Sequence, residues 1–161
     1  MNAPFRTDTD DDAVDLGALT ESVGFMIRMA QVRIYEQFFD EFAGTDVRPG
    51  EFTVLWLIDL NPGMRQGALA RTLAIKPAHM TKLVQRLVTA GMVRRTVPPE
   101  DRRSILLALT AKGRAYLETH RDRFLAVHAA ERTALSEAET AQLLTLLHKL
   151  AFKDGPNAPQ S

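Results

Sequence analysis

Cysteine is absent from the 161 residues, which excludes disulfides, thiolate metal sites and cysteine-based redox switching. Long apolar runs are absent too. None approaches the length of a membrane span, and the N-terminus lacks the basic-then-apolar pattern of a secretory signal, so a cytoplasmic protein with no membrane partner is expected. The chain carries no glycine-rich phosphate loop, no metal-ligand spacing and no serine nucleophile motif. Its histidines, at positions 79, 120, 128 and 148, are scattered; His120 and His128 stand eight residues apart, too far for a direct pair of ligands. These absences argue against an enzyme, and predict no catalytic residue, no metal and no cofactor.

Net charge is also missing, because 20 basic residues cancel 20 acids. The distribution is uneven. Between positions 65 and 103 stand nine basic residues (Arg65, Arg71, Lys76, Lys82, Arg86, Arg94, Arg95, Arg102 and Arg103) against two acids, Glu100 and Asp101, a local charge of +7. The remainder, eleven basic residues against eighteen acids, carries −7. Such a polarised chain presents either a phosphate-binding face or a solvated basic surface, and charge alone leaves both open.

What is present is 45% hydrophobic residues in a chain of single-domain length, enough for a core without staples. Residues 1–15, with the run DTDDDAVD, read as a disordered acidic arm, and 153–161 as a disordered tail. From 16 to about 43 the apolar spacing is helical. One stripe runs through Leu19, Val23, Ile27, Ala30, Ile34, Phe38 and Phe42, a second through Met26, Met29, Val32 and Phe39. Two stripes on one helix suggest contact on two sides. Shorter helices are predicted over 51–60, 66–73 and 76–90, the last opened by Pro77 and stopped by Gly91. Residues 92–97 and 103–109 read as two strands around a proline-rich turn. A helix starts at Thr110, and Ser136 with Glu139 has the spacing of a capping box before a final leucine-rich helix. The predicted fold class is mainly α (α+β), one domain over 16–152. It comprises a winged helix-turn-helix head with a two-stranded wing at about 50–110, flanked by N- and C-terminal dimerisation helices at about 16–43 and 111–152.

Within 76–90, Met80, Leu83, Val84 and Leu87 fall at i, i+3, i+4 and i+7 and make one apolar face. His79, Thr81, Lys82, Gln85 and Arg86 fall largely opposite. Each can hydrogen-bond a base edge or a phosphate, and none is acidic. Amphipathic helices usually mix charge signs on the wet face, since i,i+4 pairs stabilise them; an acid-free face suits a polyanion instead. With a short helix and tight turn before it and a basic hairpin after it, the pattern is a helix-turn-helix with a wing, whose second helix enters the major groove.

The run ALARTLAIKPAHMTKLVQRLVTAGMVRR, followed by PEDRRSILLALTAKGRAYLE, resembles the multiple antibiotic resistance regulator (MarR) family over residues 50–120. Asp101-Arg102-Arg103, then Leu107, Leu109, Thr110 and Gly113, is the most diagnostic part. The resemblance implies a ligand-responsive, DNA-binding transcriptional regulator, repression being the commoner mode. It implies a homodimer whose terminal helices intertwine and hold two heads over a pseudo-palindromic operator of double-stranded DNA. Matched positions put Pro77, His79, Thr81, Lys82, Gln85 and Arg86 at the major groove and its phosphates, with Lys76 and Arg95 joining the DNA side. Arg102 or Arg103 enters the minor groove, and Asp101 orients the arginine. Lys76 departs from the small hydroxyl residue of many members; it could add a phosphate contact, and it leaves the helix cap open. A winged-helix adaptor that binds proteins instead of DNA is the alternative, against which the acid-free face argues.

The apolar surplus on the first and last helices supports a dimer independently, since pairing would bury it and fix the spacing of two reading helices. Family members usually take a small molecule between the dimerisation helices and the head. With no cysteine and scattered histidines, an organic effector remains, an aromatic carboxylate or its coenzyme A thioester. Phe25, Arg28, Met29, Trp56 and Met64 are candidate lining residues, because an arginine near aromatics can pair with a carboxylate. The same residues also suit a plain core, with Arg28 solvated.

Overall fold

The structure, a computed structural model, describes residues 14–99, 101, 104–130 and 134–152, the side chains of 128–130 excepted. Most of the expected acidic arm, the expected tail, and Arg102 and Arg103 of the expected wing tip lie outside the described residues. The chain divides into two units, one ending at Glu36 and the other beginning at Gln37.

In the first unit the single helix expected from residue 16 is broken. Gly17–Glu21 form a 3-10 turn, Ser22 is extended, and α1 (Val23–Glu41) starts afresh. Gly17 lies in the left-handed region at φ +46°, where glycine has no Cβ to clash. The Ser22 hydroxyl accepts the Phe25 N–H at 3.4 Å, an N-cap that opens α1. Apolar stripes detect which side chains share a face and are blind to a one-residue break in the backbone. Leu19, Val23, Met26 and Ile27 are exposed.

The core of the second unit is one buried cluster of aromatic and aliphatic side chains. Phe38 stacks on Phe42 at 4.5 Å between ring centroids, and Phe124 of α5 (Ala111–Ala130) stacks on Phe52 of α2 (Pro49–Leu60) at 4.4 Å. Val54, Leu55 and Ile58 of α2 and Leu117 of α5 are buried with them. Pro49 occupies the first turn of α2, where its missing N–H has no intrahelical partner to lose, so the helix begins two residues before the expected start.

The two expected wing strands are present, and a third strand from before the helix-turn-helix joins their sheet. β1 (Met64–Arg65), β2 (Val93–Thr96) and β3 (Leu106–Leu109) form an antiparallel sheet in the order β1–β3–β2. A two-residue strand is too short to show alternation, which is why β1 is silent in the sequence. The Gly63 N–H donates to the Leu107 carbonyl at 2.9 Å and the Gln66 N–H to the Ile105 carbonyl at 2.8 Å, extending the pairing at both ends. Leu107 and Leu109 face the core as the alternation predicts. The Thr110 hydroxyl donates to the Gly91 carbonyl at 2.6 Å and accepts the Gly113 N–H at 3.0 Å, tying the start of α5 to the sheet. At Gly113 any Cβ would overlap the Met92 carbonyl, so the helix can approach this closely only with glycine there. The last helix, α6 (Glu137–Ala151), opens with the expected capping box between Ser136 and Glu139.

Candidate nucleic-acid interface

The head is a short helix, α3 (Gln66–Thr72), a turn, and a longer one, α4 (Pro77–Thr89). α3 ends in a Schellman pattern: the Ile75 N–H donates to the Ala70 carbonyl at 2.9 Å and the Ala74 N–H to the Arg71 carbonyl at 3.1 Å. This bends the chain into α4. Lys76, extended, precedes α4 and makes no side-chain cap, which resolves the question its sequence raised: the helix opens on Pro77 alone. The N-terminal end of α4 thus keeps first-turn N–H groups and a partial positive charge for an anion.

Met80, Leu83, Val84 and Leu87 of α4 are buried, as their spacing predicts. Lys76, Pro77, His79, Thr81, Lys82, Gln85 and Arg86 are all exposed. Exposure does not make them equivalent. Lys76, His79 and Lys82 make no side-chain hydrogen bond or ion pair among the described residues, whereas the other three polar side chains are engaged. The Thr81 hydroxyl donates to the Pro77 carbonyl at 2.9 Å and accepts from Gln66 Nε2 at 3.2 Å. Gln85 Oε1 accepts from Arg95 Nη1 at 2.7 Å. Arg86 pairs with Glu51 of α2 at 2.8 Å. The acid-free face is therefore a property of α4 alone; an acid reaches it from a residue 35 positions away, which helical spacing cannot register.

On the wing, Arg94 is exposed while Arg95 is half-buried against α4. Asp101, expected to orient a neighbouring arginine, accepts the Ser104 hydroxyl at 2.5 Å and lies 3.7 Å from Arg65 of β1. The Arg102 and Arg103 assignments fall outside the described residues.

The proposed effector residues divide between the units. On α1, Arg28 is exposed and Phe25 and Met29 are half-buried. In the second unit, Trp56 and Met64 are half-buried against the core. Trp56 meets Phe52 and Phe124 edge-on at 6.0 and 5.9 Å, and Arg121 of α5 sets its guanidinium 4.7 Å from the indole centroid. Sequence reading missed Arg121, because nothing local links it to a residue on α2. Among the described residues no cluster of three or more His, Asp or Glu could hold a metal, and no helix is long and apolar enough to cross a membrane.

The sequence profile described as "MarR family" matches residues 47–105, from the lead into α2 to the edge of β3. A relative from Thauera aromatica, named as a transcriptional regulatory protein for the hcr operon, is 30% identical over 139 residues, spanning 86% of this chain and 84% of its own. The chain belongs to the MarR family. Among solved structures it is similar to the transcriptional repressor CouR bound to a 23-mer DNA duplex, with 33% identity, 87% of this chain and 99% of that one covered, and a TM-score of 0.79. It is also similar to a cysteine-to-serine variant of MarR from E. coli complexed with operator DNA, at 27% identity, 85% and 99% coverage and a TM-score of 0.76. The chain is a DNA-binding transcriptional regulator with the winged-helix fold of that family, and its relatives are regulators and not enzymes.

Proposed function

We propose that this regulator is a homodimeric, non-enzymatic repressor of the cytoplasm, reading a pseudo-palindromic operator with α4 and releasing it on binding a small organic acid. The carrying observation is the exposed face of α4, where Lys76, Pro77, His79, Thr81, Lys82 and Gln85 stand together opposite a fully buried apolar face. A helix so anchored can enter a major groove without disturbing its own packing. Arg102 or Arg103 follows β2 into the adjacent minor groove. The dimer is supported by α6, whose Leu143, Leu144, Leu146, Leu147 and Leu150 are exposed. The effector reading is supported by Arg121 over Trp56, a cation beside an aromatic face that suits an aromatic carboxylate or its coenzyme A thioester.

Fluorescence anisotropy on the DNA upstream of its own gene tests the reading. Raising salt from about 50 to 200 mM should weaken binding roughly a thousandfold or more if six or more phosphates are contacted. A change of less than about tenfold would remove the phosphate contacts on which the proposal depends. Aromatic acids and their thioesters should raise the melting temperature of the protein; a flat response across that class would rule it out as the effector.

A further inference from the structure

Arg95 is expected on the DNA side by sequence, yet its donors are turned inward. Nη1 donates to Gln85 Oε1 at 2.7 Å, Nη2 donates to the Thr81 carbonyl at 3.3 Å, and Nε is buried with no partner among the described residues. Its position explains this. Arg95 pairs with Leu107 in the sheet, on a half-buried strand position that faces α4 rather than the solvent-exposed side where Arg94 stands. We infer that Arg95 is a positioning residue that fixes the Gln85 amide as a hydrogen-bond donor toward DNA, selecting guanine at the base it reads.

The chemistry is one of lone pairs and hydrogens. A free glutamine amide offers both an acceptor and a donor, and so matches adenine, which presents N6–H and N7 together. A guanidinium has donors only, so the amide atom facing Arg95 must be the oxygen, and the amide cannot turn over without placing two donors against each other. Oε1 keeps a second lone pair, but the Arg95 cation beside it repels the positive hydrogen of a base donor, so the amide's stronger group toward a base is Nε2. One of its two hydrogens lies toward Thr89 Oγ1 at 3.4 Å, a long contact that a base acceptor readily replaces. A side chain that presents chiefly its donor matches the acceptor-only edge of guanine, O6 and N7, gains one bond at adenine N7, and meets only a donor on cytosine. Thr81 is constrained in the same way: its hydroxyl proton goes to the Pro77 carbonyl, so it has no proton to offer a base. His79 and Lys82 are the charged or ring-bearing α4 side chains whose polar atoms are all uncommitted among the described residues.

The inference rests on α4 reading the major groove, and two measurements separate it from that premise. The first is selection from a randomised duplex library with sequencing of the bound pool; the second is the salt dependence of affinity for the selected duplex. Arg95→Met keeps the apolar stem and frees Gln85 Oε1. It should move the preference at one base pair per half-site from guanine to adenine, a change of about fivefold or more in relative affinity, with the salt slope unaltered. Arg95→Lys, which still donates to Oε1, should restore guanine. Gln85→Glu covers the case in which Arg95→Met fails to fold. It keeps the bond to Arg95 but has no N–H, and should exchange guanine for cytosine at the same position. A uniform loss across all sequences, with the salt slope falling by about one per subunit, would make Arg95 a phosphate contact and overturn the inference while α4 keeps its role. An unchanged base preference in Arg95→Met and Gln85→Glu would overturn it as well. A wild-type protein whose binding ignores salt would overturn the premise itself.

Discussion

Two consecutive helices of the head end on the same hydrogen-bond pattern but with different residues at its critical point. After α4, the Met92 N–H donates to the Leu87 carbonyl and the Gly91 N–H to the Val88 carbonyl, both at 2.9 Å, with Gly91 at φ +72°. After α3 the equivalent residue is Ala74, at φ +50°, the one non-glycine residue with positive φ among the described residues. A Cβ in the left-handed region costs about 1–2 kcal/mol, while glycine loses about 0.5–1 kcal/mol more chain entropy on folding. The difference favours glycine. Ala74→Gly should therefore raise stability by about 0.5 kcal/mol, read as a higher urea midpoint with an unchanged slope. A loss of about 1 kcal/mol, the usual result of placing glycine in a well-formed helix, would show that Ala74 is not held in that conformation.

At the scale of elements, the features legible in the sequence were those whose cause is local. Pro77 opens α4, Gly91 closes it, and Ser136 with Glu139 opens α6 because each acts on neighbours one to four residues away. The features that escaped are long-range pairings: β1 exists only because β3 lies beside it, Arg86 meets Glu51, and Arg121 meets Trp56. The site was legible as a face but not as a hydrogen-bond network, since periodicity shows which side chains point outward and not what they already hold. The α6 cap makes the local case testable. The Glu139 carboxylate accepts the Ser136 hydroxyl at 2.7 Å and the Ser136 N–H at 2.8 Å, and these bonds hold its pKa below the ordinary glutamate value. A lowered folded pKa contributes stability that is complete above the unfolded pKa and is lost as pH falls through the folded one. Helical chemical shifts of residues 137–140 should thus decay on acidification below the usual glutamate range. In Ser136→Ala they should start lower and the step should shrink to the part held by the remaining backbone N–H; an identical acid transition in both proteins would detach it from the Ser136 hydroxyl.

For the molecule as a whole, the local charge of +7 overstates what one head can offer a phosphate backbone. Arg65 and Arg86 are paired with acids, and Arg95 is turned inward. Arg71, Lys76, Lys82 and Arg94 are exposed without an ion pair among the described residues. With Arg102 and Arg103 added, four to six cations per head give a salt slope of about −4 to −5, at about −0.9 per phosphate. A dimer doubles this to about −8 to −10, so the slope counts heads as well as contacts. The exposed leucines of α6 are the proposed means of joining them. Leu143 and Leu150 are seven residues apart on one face, 43% and 59% exposed, so charges placed there should spare the core of the second unit. The double variant Leu143→Glu with Leu150→Glu should sediment as a monomer while keeping the circular dichroism of a folded head. Its affinity for the operator should fall at least about 100-fold, because the second head no longer binds as an intramolecular step. Its salt slope should halve. If the variant still sediments as a dimer with the full slope, α6 is not the surface that joins the two heads.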